Sequence, residues 1–131
     1  ALTAAAAPQN LSRSGVAVRG YDVVAYFTDG TAREGNEAHA HDWNDARWLF
    51  ATAEHRELFA ADPEKYAPQY GGYCAYAMSR GDKVKIDPEA FSIVDDKLYL
   101  NYSLKIRKSW DEDRANYIGK ADVHWQRLSK P

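Results

Sequence analysis

Apolar and aromatic positions either cluster in short runs, alternate with polar ones, or recur every three to four residues along most of the chain, and each pattern predicts an element. VAVRGYDVVAYFTDG gathers Val, Tyr and Phe ahead of an Asp-Gly pair, which predicts a strand over Asp22 to Phe27 closed by Asp29 and Gly30. In NEAHAHDWNDARWLFA the apolar and aromatic residues flank Asn44 and Asp45, the pattern of a hairpin with strands near Ala38 to Trp43 and Arg47 to Ala51. Thr52 is placed to cap a helix in which Leu58 and Phe59 recur at helical spacing from His55. Asp62 and Pro63 end that helix and open another short turn.

Pro68, Gly71 and Gly72 then punctuate the chain before YCAYAMSRG, where Ala and Met favour a short helix ended by Gly81 and carrying Cys74 in its first turn. AFSIVDDKLYLNY predicts a second hairpin: Phe91 to Val94, an Asp95-Asp96 turn, then Leu98 to Tyr102, with Leu98, Leu100 and Tyr102 alternating against Tyr99 and Asn101. Amphipathic helices are expected over Leu104 to Trp110 and Asn116 to Leu128, anchored by Ile118, Val123 and Trp125. Together these elements describe an α+β domain, short β-hairpins packed against several short helices.

Composition sets the limits of that picture. A chain of 131 residues, 45% hydrophobic and 13% aromatic, buries one core, so a single compact domain is expected over residues 11–131. A formal net charge of -2 leaves no field that would gather a polyanion, and nucleic acid is not an expected partner. No apolar run approaches the roughly 18 to 20 residues that cross a bilayer, which argues against membrane insertion. Residues 1–10, ALTAAAAPQN, carry no periodic pattern and read as a disordered segment resembling the tail of a cleaved export signal. A periplasmic or otherwise exported location follows from that reading, with a frayed terminus as the alternative. One cysteine forms no internal disulfide, which leaves one thiol to explain.

That thiol is the first candidate for chemistry. In the first turn of a helix Cys74 would feel unpaired backbone amides and the positive end of the dipole, which favour thiolate and hence soft-metal ligation or nucleophilicity. The alternative is a small apolar group packed in the core. His39 and His41 are two apart on an expected strand, on one face, and would complete a His2Cys set for copper or zinc if the hairpin packs over Cys74; otherwise they form a solvated face. Tyr70, Tyr73 and Tyr76 crowd the Cys74 segment and, with Asn101, an unusual residue for mid-strand, are candidate walls of a ligand pocket. Asp22, Asp62 and Asn101 are candidate partners for buried phenols. His55 is expected to face solvent on its helix, as is His124, and Asp111 to Asp113 to form a solvated junction. Ser79 and Ser92 have no nucleophile motif around them, and there is no Cys-x-x-Cys or phosphate loop, so a non-enzymatic role is expected.

GYDVVAYF, ADPEKYAPQYGGYCAYAMSRG, FSIVDDKLYLNY and the closing KADVHW resemble, over nearly the whole chain, the YHS-domain proteins in their small, stand-alone exported form. The resemblance implies an association with heavy-metal handling. YHS modules of metal proteins commonly present two cysteines, and here Cys74 alone could correspond to one. Where relatives commonly carry a Tyr-x-Gly turn this chain reads Trp43, Asn44, Asp45, and the resemblance assigns no role to the His39 and His41 pair. The expected role is therefore binding of a soft or borderline metal ion such as copper through Cys74 with histidine help, a small ligand in the aromatic pocket being the alternative partner. The alternatives are a redox thiol and an aromatic-pocket interaction module, with dimerisation open.

Overall fold

The computed structural model describes residues 9–130, so most of the segment read as an export-signal tail lies outside the described residues. The chain runs α1 (Val23–Thr28), β1 (Asn36–Trp43), β2 (Ala46–Phe50), α2 (Ala53–Ala61), α3 (Pro63–Tyr66), α4 (Ala75–Met78), β3 (Asp87–Val94), β4 (Lys97–Asn101), α5 (Leu104–Asp111) and α6 (Arg114–Leu128), with 3-10 turns at Val18–Gly20 and Gln69–Gly72. It is an α+β domain in which β1 pairs with β2 and β3 with β4 as two separate antiparallel hairpins.

Both hairpins are closed by two residues at positive φ, Asn44 (54°) with Asp45 (59°), and Asp95 (51°) with Asp96 (61°). That is the requirement of a type I′ turn, which Asn and Asp meet more easily than other side chains. Each hairpin carries a register irregularity away from its turn, between Asn36 and Ala40 and between Asp87 and Phe91. Thr52 caps α2 as its sequence position predicts, its hydroxyl accepting the His55 N–H at 3.1 Å.

The expected strand over Asp22 to Phe27 is instead helix α1. A consecutive apolar run is ambiguous between a buried strand and a buried helix, and here the cap decides it. The Asp22 carboxylate accepts the Ala25 N–H at 3.1 Å, satisfying a first-turn donor, and Val23 to Tyr26 are all buried.

Two apolar clusters fill the interior. Trp48, Phe50, Phe59, Tyr26, Leu98 and Leu100 belong to the first, and Tyr70, Ala75, Met78, Tyr99, Trp110 and Ala121 to the second. The strand period of two makes β4 the partition between them, since Leu98 and Leu100 face one cluster while Tyr99 faces the other. Among the described residues no helix is long and apolar enough to cross a membrane.

Candidate functional site

The segment leading to Cys74 turns through three successive residues at positive φ: Tyr70 (59°), Gly71 (62°) and Gly72 (80°). Glycine takes this region freely, whereas Tyr70 is held there by its surroundings. The turn delivers Cys74 to the position just before α4, with its N–H donating to the Val84 carbonyl at 2.9 Å. Cys74 is thus the N-cap residue rather than a first-turn residue, and α4 has only four residues, too few for a strong dipole.

Burial decides the state of the thiol. Cys74 is 1% exposed, and desolvation pushes its pKa up, against the smaller opposing pull of the Ala77, Tyr102 and Tyr76 backbones and of Arg80. The expectation of a dipole-stabilised thiolate is therefore corrected: Cys74 rests as a protonated thiol, donating to Asn101 Oδ1 at 3.5 Å. The same oxygen accepts the Tyr76 N–H at 2.9 Å, which fixes the carboxamide and leaves Asn101 Nδ2 without a hydrogen-bond partner. Asn101 is fully buried, so this mid-strand amide belongs to the wall of the site and is only half satisfied.

A cavity of about 240 Å³ lies over the thiol. Cys74 and Ala77 form its buried part, with Tyr76, Val84, Tyr102 and Ile106 around them, and the exposed Arg80 and Asp82 also line it. The Arg80 guanidinium sits 4.7 Å from the Tyr76 ring centroid, and neither Arg80 nor Asp82 makes an ion pair among the described residues. Arg80, Asp82, Val84, Tyr102 and Ile106 were not singled out in the sequence. The one visible signal was a basic and an acidic residue set either side of Gly81 just beyond the helix.

The other expected site residues do not converge here. His39 and His41 lie on β1, where the His41 ring meets Phe59 edge-on at 6.0 Å, and among the described residues no three His, Cys, Asp or Glu side chains form a group able to hold a metal ion. The His2Cys set is therefore not assembled. Tyr73 donates to the Gln9 carbonyl at 3.2 Å and Tyr70 to Asp122 Oδ1 at 2.8 Å, so only Tyr76 and Asn101 of the expected pocket residues stand beside Cys74. Nor do the buried phenols use Asp22, Asp62 or Asn101. Tyr26 instead donates to the Pro88 carbonyl at 2.8 Å.

His55 also departs from expectation. Rather than facing solvent, it is 12% exposed, with Nδ1 at 2.6 Å from Oδ2 of the fully buried Asp22. That carboxylate also accepts the Ala51 N–H at 2.9 Å, so it ties α1, the end of β2 and α2 together. His55 Nε2 lies 3.3 Å from Thr28 Oγ1, an order of carboxylate, imidazole and hydroxyl that resembles a hydrolytic triad. The Thr28 hydroxyl, however, has the Val24 carbonyl at 3.2 Å and Asp29 Oδ1 at 3.0 Å as closer acceptors. The hydroxyl thus has nearer acceptors than the imidazole, and the cluster ties α1 to α2.

Comparison with protein-family models, with curated proteins and with solved structures finds no match to this chain.

Proposed function

We propose that the chain is a non-enzymatic binding protein that takes one small molecule into the cavity over Cys74. The observation that carries this reading is the cavity itself, a largely apolar hollow with a buried thiol and a charged Arg80 and Asp82 on its exposed side. Ligand sites combine an apolar lining with a few polar groups that fix orientation, and Arg80, stacked on Tyr76, is placed to meet an anionic group on the ligand. At about 240 Å³ the space is below the roughly 300–1,000 Å³ of ordinary ligand pockets. The ligand class is therefore a small carboxylic acid with a short apolar body.

The YHS resemblance supports a copper or zinc reading of the same thiol. That reading now rests on Cys74 without His39 and His41, and a carboxamide oxygen is a poor partner for a soft ion. An exported location rests on the Ala-rich opening alone.

The test is protection of Cys74 from alkylation by a panel of small carboxylates, read beside ligand-observed NMR and elemental analysis of the purified protein. Slower alkylation that is saturable, and lost in Arg80→Ala, is the expected result. Stoichiometric copper or zinc that disappears in Cys74→Ser would overturn it in favour of the metal. Rapid oxidation of Cys74 by peroxide, with no ligand protection, would overturn it in favour of a redox thiol.

A further inference from the structure

We infer that a second cavity, separate from the one over Cys74, is a receptor for a methylated ammonium ion. It is an open hollow of about 200 Å³ whose lining includes Trp43, Trp125, Tyr70 and Glu64 beside the chain segment from Ala67 to Gly71. These residues come from the end of β1, from α6, from the turn before Cys74 and from α3, so four parts of the chain converge on one hollow.

An aromatic face carries partial negative charge, and a cation enclosed by several such faces gains from each of them. The Trp125 ring packs edge-to-face on the buried Tyr70 ring, centroids 6.3 Å apart at 74°, which fixes the indole at the rim of the hollow. The Tyr70 hydroxyl donates to Asp122 at 2.8 Å, which puts a second carboxylate behind that ring and makes the phenol more electron-rich. Backbone bonds hold the Tyr70 turn in place, since Asn10 donates its N–H to the Gly71 carbonyl at 2.8 Å and its side-chain amide to Gly72 at 3.1 Å. The walls are therefore set before a ligand arrives.

Packing alone would give the same three rings a duller role. Trp43 does rest on Trp48 and Phe59, each at 5.7 Å. Charge argues beyond that. Among the described residues the cations lying over rings serve Tyr66, Tyr76, Tyr73 and Trp110, and none lies over Trp43, Tyr70 or Trp125. Glu64 likewise makes no ion pair among the described residues. Two half-buried tryptophans, the buried Tyr70 and the exposed Glu64 thus line a hollow that contributes no positive charge of its own among the described residues. A methylated ammonium suits this better than a lysine ammonium, because its methyl groups weaken hydration and leave no N–H donor to satisfy, and aromatic cages take such ions for that reason.

The experiment titrates the full chain with choline, with its neutral isostere 3,3-dimethylbutan-1-ol, and with a peptide carrying trimethyllysine, following tryptophan fluorescence and chemical-shift changes. Choline is expected to saturate, at least about tenfold tighter than the isostere, the difference that cation–π attraction from several rings supplies. Glu64→Gln, an exposed change that leaves the urea midpoint unmoved, is expected to weaken choline by about fivefold, and Trp125→Ala by more. Tighter binding of the peptide than of choline assigns the ammonium to a protein side chain, and the reverse assigns it to a free amine; both support the site. Equal binding of choline and the isostere, indifference to Glu64→Gln, or no saturable response to either ammonium ligand would overturn it.

Discussion

Cys74 shows how burial outweighs position for a single side chain. A helix-start amide cradle and Arg80 pull the thiol towards thiolate, desolvation pushes the other way, and desolvation wins. In the folded protein, alkylation by iodoacetamide near neutral pH is accordingly expected to run at least about tenfold slower than in urea, with its pH midpoint above the usual thiol value of roughly 8.5. A rate equal to that of the unfolded chain would show that the thiol is neither buried nor protonated. Asp22 is a buried polar side chain whose hydrogen-bonding capacity is met by its partners. Its two oxygens serve the Ala25 and Ala51 amides and His55, and Asp22→Ala would orphan two backbone donors, one of them buried, and an imidazole at once. A loss of about 3 kcal/mol or more in urea unfolding is expected, against about 1 kcal/mol for Thr52→Ala, which removes one cap. The sequence made Cys74 conspicuous because it is the chain's single cysteine. It could not reveal the Asp22 clamp, whose imidazole partner is 33 residues away and whose cap is invisible without the helix it starts.

At the scale of elements, legibility followed turn chemistry. The two hairpins were readable because Asn-Asp and Asp-Asp pairs between apolar runs demand a two-residue turn, and both turns formed there. α2 was readable from Thr52 and from helical spacing. α1 was not, since its four consecutive buried residues carry no period and a β-rich composition favours the wrong element. The pocket over Cys74 was only partly readable because its wall comes from Cys74 and α4, the loop after it, Tyr102 just beyond β4, and α5, and no local pattern announces which side chains of those pieces will meet. A close approach between segments gives a further prediction. Gly35 lies against β2 so tightly that an added Cβ would fall 2.5 Å from the Leu49 carbonyl carbon and oxygen. Backbone in a paired strand cannot yield cheaply, so Gly35→Ala is expected to cost about 2 kcal/mol or more and to broaden the amide resonances of β2, whereas Gly119→Ala, which meets open space on a helix, is expected to be neutral or stabilising by up to about 1 kcal/mol. Equal effects of the two substitutions would contradict the packing of Gly35 on β2.

Across the whole molecule, the two apolar clusters are joined by β4 and each contains phenols that are kept from ionising. Tyr26 in the first cluster is driven well above the usual tyrosine value chiefly by desolvation, as is Tyr70 in the second, where its bond to Asp122 adds to the effect. Tyr99, facing the second cluster, is pushed up to about 12, again mainly by burial. The direction of the consequence follows from proton counting. Above the ordinary tyrosine pKa of 10.0 the unfolded chain loses these protons while the folded chain keeps them, so the stabilisation is complete below about pH 10 and is lost as pH rises towards the folded values. Each such group contributes a slope of at most about 1.4 kcal/mol per pH unit, so three together remove up to roughly 4 kcal/mol for each unit between pH 10 and about 12, where Tyr99 itself ionises. Against a total stability of about 5–15 kcal/mol for an ordinary domain, unfolding is expected from about pH 11 upward. Because the phenols sit in both clusters and β4 borders both, tyrosinate absorbance and far-ultraviolet circular dichroism should change together in one steep step. In Tyr26→Phe and Tyr70→Phe the urea midpoint should depend less steeply on pH in this range, each by about one proton. Smooth titration of all the tyrosines near pH 10, with circular dichroism unchanged, would mean that the interior phenols are open to solvent and that the two clusters do not exclude water as one core.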